Sequence, residues 1–252
     1  MNVDAYLDRI RYAGPRRPNA ATLRLLHRAH MLSVPFENLS IHAGEPIVLE
    51  DEALFEKVVT RRRGGFCYEL NGLFAALLRA LGFDVVKLSA GVYGASGAFG
   101  PDFDHMTLLV SLEEHWLADV GFGDSFLEPL RLDERREQAH GARAYRIDPD
   151  GDRMILLQRI GDGAWTPEYR FGLEPHEYAD YAGRCLYHQT SPLSHFTQSR
   201  VCSRATPDGR ITLTGTRLIV TKGEMRTERE LGGDREYADV LRRELGVSLS
   251  VP

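Results

Sequence analysis

The stretch RRRGGFCYELNGLFAALLRALG, residues 61–82, predicts the helix around which the N-terminal part of the fold is built. Beyond the cysteine at position 67, apolar residues recur with the spacing of one helix face, which is typical of a helix that packs on a core. Gly82 is suited to end this helix, because glycine readily adopts the left-handed conformation that a helix end requires. The apolar positions are Leu70, Leu73, Phe74, Leu77, Leu78 and Leu81.

Cys67 stands at the predicted start of this helix, and its position has two interpretations. The positive end of the helix dipole and the unpaired amide groups stabilise a thiolate, which favours a nucleophile. Gly64 and Gly65 allow a sharp turn and the close approach of a substrate, and Arg61–Arg63 add positive charge. The alternative is a small residue of the core, which is the role of most free cysteines. The local sequence leaves both interpretations open.

The period of the apolar residues changes at Phe83, from the helical spacing to the alternation that is typical of strands. Residues 141–180 follow neither pattern and remain unassigned. The chain is therefore predicted to be α+β, with an antiparallel sheet or small barrel after the helices. The strand-like segments are FDVVKLSAGVYG (83–94), HMTLLVSL (105–112), HWLADVGFG (115–123), RVCSRAT (200–206) and ITLTGTRLIVT (211–221), and a helix is predicted from Asp234.

Composition indicates an ordinary soluble globular protein. The chain has 252 residues, of which 43% are hydrophobic and 27% charged, and its formal net charge is −5. This mild acidity gives no reason to expect nucleic acid or an anionic membrane as a partner. The start MNVDAYLDRI lacks the pattern of a signal peptide, and no apolar run reaches the roughly 18 residues that a membrane span needs.

Cysteine usage points to a reducing compartment. Cys67, Cys185 and Cys202 are an odd number without CxxC spacing. This argues against a disulfide framework and against a cysteine-rich zinc site. We therefore expect a cytoplasmic protein without a metal.

A thiol nucleophile needs a base, and the base needs an acceptor that orients it. Among the nine histidines, His105 stands apart because it follows a glycine-rich loop and begins an apolar strand. Asp119 lies at the end of the next strand, among apolar residues, where a carboxylate needs a hydrogen-bonded partner. Adjacent strands of a hairpin can place the two side by side. The alternative for Asp119 is a turn residue before Gly121.

Five blocks of the sequence together resemble the arylamine N-acetyltransferase family, in the family's order and over most of the chain. They are RRRGGFCYELNGL, VPFENLSIHAG, DHMTLLV, LADVGFGD and SPLSHFTQSRVCS. The resemblance implies an N-terminal helical bundle at 1–83, a central antiparallel β-barrel at 84–190 and a C-terminal α/β lid at 191–252. The bundle would carry the nucleophile, and the barrel would carry the histidine and the aspartate.

The same resemblance implies an acetyl-CoA-dependent arylamine N-acetyltransferase with a triad like that of papain-like and transglutaminase-like enzymes. Cys67 would be the nucleophile, His105 the base and Asp119 the orienting acid. Ping-pong transfer would carry acetyl from CoA to the cysteine and then to an arylamine, arylhydroxylamine or hydrazine. The implied acceptor-pocket residues, each of which would also suit a plain core, are Phe36, Val92 and Phe122, and the implied CoA contacts are Gly123 and Thr221.

Three other functions remain open on these residues. Some family members synthesise amides from a carrier-bound polyketide, and a cysteine hydrolase would use the same triad with water or lysine. A non-catalytic module is the third, although it has no use for an intact Cys–His–Asp set. One departure from the family pattern is Asp104, which precedes His105 where threonine or an apolar residue is usual. Its charge would perturb His105 or face solvent.

Overall fold

Five helices precede the first long strand in the computed structural model, which describes residues 1–248. Asparagine side chains cap the first two: Asn2 accepts from the Ala5 N–H at 3.1 Å and Asn19 from the Thr22 N–H at 2.9 Å. The helices are α1 (Val3–Arg9), α2 (Ala20–Ser33), α3 (Leu39–His42), α4 (Asp51–Phe55, continued by a π-helical turn Glu56–Thr60) and α5 (Cys67–Ala80).

Helix α5 is the centre of the helical layer, and it begins at the cysteine as predicted. The Glu69 carboxylate accepts from the Phe66 N–H at 3.1 Å and so closes the first turn, while Gly82 follows the helix at φ +86°. Nearly the whole helix is buried, because neighbouring helices and a sheet cover it on all sides. Each large apolar side chain buried here contributes about 1.5–3 kcal/mol. The predicted stripe residues Leu70, Leu73, Phe74, Leu77 and Leu78 are all at 0% exposure.

An eight-stranded antiparallel sheet of nearly closed, barrel-like form follows the helices. Its strand order is β5-β4-β3-β2-β9-β8-β7-β6. Three of these strands occupy the stretch 141–180 that the sequence pattern left unassigned. The strands are β2 (Asp84–Val92), β3 (His105–Ser111), β4 (His115–Ala118), β5 (Leu130–Arg131), β6 (Gln138–His140), β7 (Arg143–Asp150), β8 (Arg153–Ile160) and β9 (Thr166–His176).

A second sheet of five strands, in the order β1-β10-β11-β12-β13, contains most of the C-terminal part of the chain. Its first strand comes from the helical part, because Phe36 pairs with Ser203 and Glu37 with Cys202. The predicted α+β layout of helices, barrel and α/β lid is confirmed, whereas the boundaries 1–83, 84–190 and 191–252 stay a prediction. The remaining elements are β1 (Phe36–Glu37), α6 (Tyr178–Thr190), α7 (His195–Gln198), β10 (Val201–Thr206), β11 (Gly209–Thr214), β12 (Arg217–Lys222), β13 (Met225–Glu230) and α8 (Asp234–Val240, continued by a π-helical turn Leu241–Leu245).

Within residues 1–248, no helix combines the length and the apolar character needed to cross a bilayer.

The two glycines before Cys67 serve the packing of β1. A Cβ atom on Gly64 would lie 2.0 Å from the Pro35 carbonyl oxygen, so no larger residue has room there. The Glu37 N–H donates to the Gly65 carbonyl at 2.8 Å. The prediction that both glycines allow a substrate to approach is therefore wrong for Gly64. The space that its missing side chain leaves is filled by the backbone of Pro35.

A buried ion pair fixes the same junction. The Arg63 Nε lies 3.0 Å from Glu37 Oε1, and the two side chains are only 4% and 0% exposed. The other Glu37 oxygen accepts from the Leu39 N–H at 2.6 Å, and Arg63 also donates to the Ser40 hydroxyl at 3.3 Å. Because every charge is paired and hydrogen-bonded, the pair is tolerated in the interior, and loss of one partner leaves the other uncompensated.

Glu37→Ala should therefore lower the free energy of unfolding by about 3–5 kcal/mol, measured by urea denaturation. The matched control is Glu228→Ala, which removes the partner of the exposed Arg226 and should cost at most about 1 kcal/mol. Equal losses in the two variants would show that the buried pair does not hold the junction.

Candidate active site

Cys67 is the first residue of α5 and is 3% exposed. The loop after β4 lies directly against it, since a Cβ atom on Gly121 would be 2.8 Å from the Cys67 Cα. Met106, the second residue of β3, packs in the same buried cluster as Cys67. The helix start, β3 and the loop after β4 therefore meet at the thiol.

His105 and Asp119 are brought together by the hairpin of β3 and β4. His105 begins β3, and Asp119 directly follows β4, which pairs with β3 in antiparallel register. His105 Nε2 lies 2.6 Å from Asp119 Oδ2, and both side chains are buried. Because Nε2 donates to the carboxylate, Nδ1 is the ring nitrogen left for proton transfer.

The Asp119 carboxylate is satisfied by three further donors. Oδ1 accepts from Asn71 Nδ2 at 2.8 Å and from the Gly121 N–H at 3.0 Å, while Oδ2 accepts from the Tyr169 hydroxyl at 3.0 Å. Burial alone would raise the pKa of Asp119, but the charge of His105 and these hydrogen bonds lower it below its ordinary value. Asp119 is therefore ionised at neutral pH although it is fully buried.

In contrast to Asp119, Cys67 is held in its neutral form by its surroundings. Burial raises the pKa of the Cys67 thiol well above that of a free cysteine, the Met106 N–H opposes this, and the charge of Asp119 adds to the rise. The neighbouring arginines do not offset burial, because Arg61 and Arg63 pair with Glu45 and Glu37. Two of the three arginines thus pair with acids rather than with the thiol, and ionisation of the sulfur requires a proton acceptor close by.

Asp104, the departure from the family pattern, faces α6 rather than solvent. Its Oδ1 atom accepts from Arg184 Nε at 2.9 Å, and His188 Nε2 lies 3.2 Å from the same oxygen. Burial raises the pKa of Asp104, but His188 and Arg184 outweigh this effect and hold it below its ordinary value. The carboxylate therefore joins the start of β3 to α6.

Aromatic rings surround the histidine. The ring centroids of His105, Phe122 and Tyr169 are 5.1 Å apart in all three pairs. Val92 is half-buried at the end of β2 and pairs with Tyr169. Of the five residues implied for substrate and CoA, the structure thus brings Phe122 and Val92 next to the histidine–aspartate pair.

Of the other three implied contact residues, Phe36 packs against the buried cluster that contains Cys67. Gly123, at φ +95°, packs against the half-buried ring of Phe36, and a Cβ atom there would lie 3.6 Å from that ring. Thr221 lies on β12 opposite Arg210, and in residues 1–248 no hydrogen bond links it to Cys67, His105 or Asp119.

Three residues of the site were missed from the sequence. Asn71 lies four positions after Cys67 on α5, a spacing that places both on one face and could have revealed it. His27 accepts from the Asp119 N–H at 3.1 Å, because burial lowers its pKa to about 4 and keeps the ring neutral. Tyr169 lies in the unassigned stretch and carried no local signal.

A buried cysteine at a helix start, beside a histidine–aspartate pair on neighbouring strands, is the arrangement found in cysteine enzymes with a catalytic triad. Comparison with known proteins narrows this class. A profile of the N-acetyltransferase family matches residues 19–252. The chain is 36% identical to an arylamine N-acetyltransferase of Mycolicibacterium smegmatis, over 99% of this chain and 93% of that protein. This chain belongs to the arylamine N-acetyltransferase family, and it is an acyltransferase.

Solved structures agree with this membership. An arylamine N-acetyltransferase from Salmonella typhimurium superposes with a TM-score of 0.93 at 32% identity, covering 99% of this chain and 92% of the other. The Mycobacterium marinum enzyme in complex with CoA superposes with a TM-score of 0.91 at 31% identity, covering 98% and 93%.

The electrostatics of the site predict that reaction of Cys67 depends on His105. His105→Gln removes the proton acceptor and leaves the burial effect, so iodoacetamide should alkylate Cys67 at least about tenfold more slowly near neutral pH. The rate profile should also move to higher pH. Peptide mass spectrometry follows the modification of the cysteine.

The control for this prediction is His115→Gln, which changes an exposed histidine that pairs with Asp133. Its alkylation profile should match the wild type. An unchanged profile in His105→Gln would mean that another group takes the thiol proton.

Proposed function

We propose that this chain is an acetyl-CoA-dependent arylamine N-acetyltransferase that holds the acetyl group on Cys67 between two half-reactions. The observation that carries the proposal is the 2.6 Å hydrogen bond between His105 and Asp119, buried beside the cysteine that begins α5. His105 is the base and Asp119 the residue that orients it. Membership of the family supports the reaction, and the CoA complex of the Mycobacterium marinum relative supports the donor.

In the first half-reaction the thiol proton of Cys67 passes to His105 Nδ1, since Nε2 is committed to Asp119. The carboxylate stabilises the imidazolium and so offsets the cost of forming a buried thiolate. The sulfur then attacks the carbonyl carbon of acetyl-CoA. As the tetrahedral intermediate collapses, the bond to the CoA sulfur breaks, and His105 returns a proton to the departing thiolate. The products are free CoA and acetylated Cys67.

Backbone amides are available to stabilise the oxyanion of each tetrahedral intermediate. The first amide of α5 with a helical partner is that of Glu69, whose N–H donates to the Phe66 carbonyl at 3.1 Å. The N–H groups of Cys67 and Tyr68 precede it and have no partner within the helix. They lie at the positive end of the helix dipole, where a negative oxygen is favoured.

In the second half-reaction the acceptor nitrogen attacks the acetyl thioester and loses its proton to His105, and the Cys67 thiol is restored. Arylamines suit this step because their low basicity leaves the nitrogen unprotonated at neutral pH. Arylhydroxylamines and arylhydrazines share this property. Since CoA leaves before the amine reacts, the kinetics are ping-pong.

The acceptor and the donor occupy different sides of the site in this proposal. Phe122, Val92 and Phe36 form the apolar side that receives the aromatic ring of the acceptor. Gly123 and Thr221 lie along the path of CoA. The proposed reaction is cytoplasmic and involves no metal, nucleic acid or membrane.

Acetyl-CoA alone should add one acetyl group to the wild-type protein, detected by intact mass in the absence of an amine. Cys67→Ala and Cys67→Ser should abolish this adduct, whereas Cys185→Ala and Cys202→Ala should retain it. An adduct that survives the loss of Cys67 would exclude Cys67 as the carrier of the acetyl group.

Asp119→Asn should reduce the transfer rate by several orders of magnitude, about 10⁴-fold in the corresponding change of a serine-type triad. The asparagine keeps the size but loses the charge that stabilises the imidazolium. Melting temperature measured beside the rate separates this role from a structural one. Folded Asp119→Asn protein that retains rates within a few-fold of the wild type would remove Asp119 from the triad.

A further inference from the structure

A β-bulge in β9 changes the direction of one carboxylate next to the site. Across the two strands, Leu156 of β8 pairs with Tyr169, but the next residue of β8, Leu157, pairs with Pro167. Glu168 is the extra residue between them and has no partner on β8. Such bulges turn a side chain out of the ordinary alternation of a strand. Glu168 is half-buried and adjoins Tyr169, whose ring flanks His105.

Glu168 lies on β9, between β2 and β8, beside the part of the barrel core that contains Tyr145 and Tyr169. Its charge acts on the phenols of Tyr145 and Tyr169, adding to the rise in their pKa that burial causes. Both tyrosines belong to the core of the barrel and are 0% exposed. The charged groups that act on Glu168 in turn are Arg143 of β7 and Asp124, which follows Gly123.

Arg143, the cation that acts on Glu168, already pairs with another carboxylate. Arg143 forms a two-pronged pair with Asp124, at 2.8 Å and 2.9 Å, and Arg210 also donates to Asp124 at 2.9 Å. Among residues 1–248, no group donates a hydrogen bond to the Glu168 carboxylate. A half-buried carboxylate without a partner is costly, and burial raises the pKa of Glu168 to about 7. Groups of this kind cluster at binding sites.

We propose that Glu168 recognises the ring substituent of the acceptor, favouring arylamines that carry a second group that is cationic or donates hydrogen bonds. This inference rests on the proposed function. The acceptor is the substrate that fits, because the phosphates of a CoA donor are anionic and are repelled by a carboxylate. An N–H group on the arylamine would donate the hydrogen bond that no protein group makes to the Glu168 carboxylate. A hydrogen bond to a charged group of this type is about twice as strong as one between neutral groups.

The test compares acceptors of opposite charge in wild type and Glu168→Gln. The cationic acceptors are 4-aminobenzylamine and the longer 4-(2-aminoethyl)aniline, and the anionic acceptor is 4-aminobenzoate. The quantity measured is the ratio of kcat/KM for each cationic acceptor to that for the anionic one, at about pH 8. In Glu168→Gln this ratio should fall on the order of tenfold or more for at least one cationic acceptor, mainly through KM. Glu174→Gln, an exposed carboxylate on the same strand, should retain the wild-type ratio.

Acidification provides a second readout. The carboxylate form exists above the pKa, so the wild-type preference for cationic acceptors should be full at about pH 8 and weaken as pH falls through about 7. The groups facing Glu168 are Arg143, Asp124, Tyr145 and Tyr169, none of which changes charge in this window. Protonation of the triad alters both rates alike and cancels in the ratio. Glu168→Gln should lose this pH dependence.

The outcomes separate the two proposals. If the wild type forms acetyl-Cys67 and transfers it, but the ratio is unchanged in Glu168→Gln or all acceptors change equally, the role of Glu168 is overturned and the proposed function stands. A wild type that forms no acetyl-enzyme by intact mass would overturn the proposed function, and with it the inference.

Discussion

The Asp119 carboxylate accepts hydrogen bonds from His105 on β3, Asn71 on α5 and Tyr169 on β9, and it is fully buried. An ionised carboxylate can stay in an apolar interior only when its oxygens are satisfied. The donors come from the helical layer and from two strands of the barrel. Satisfying this one charge therefore fixes how the helix, the hairpin and β9 sit against one another, and it holds the imidazole in one orientation.

Asn71 extends this constraint from the side chain to the backbone. Its amide donates to the Met106 carbonyl at 2.6 Å, and its oxygen accepts from the Val120 N–H at 2.8 Å. Met106 packs against Cys67 in one buried cluster. The same asparagine thus sets the spacing between the cysteine helix and the two strands that carry the histidine and the aspartate. Precision of this kind is what a proton transfer between buried groups requires.

The sequence was sufficient for those parts of the site that lie on regular elements. Helical spacing placed Cys67 at a helix start, and strand alternation placed His105 and Asp119 on one hairpin. Tyr169 and Glu168 could not be found this way, since β7 and β9 contain prolines and the bulge reverses the alternation at Glu168. The pKa shift of the thiol could not be predicted from the sequence either, because Glu45 and Glu37, which pair with Arg61 and Arg63, are distant in sequence and meet them only in the folded chain.

The short strand β1 can pair only after a strand from the C-terminal part of the chain has been synthesised. Phe36 and Glu37 find their partners on β10, which begins at Val201. During synthesis at about 5–20 residues per second, the helical layer waits on the order of ten seconds or more for that strand to leave the ribosome. Through this interval the edge of β1 and the junction in front of the cysteine lack their cover. Completion of the junction in front of the cysteine is thus one of the last events in the synthesis of the protein, and a chain truncated before β10 would leave the edge of β1 uncovered.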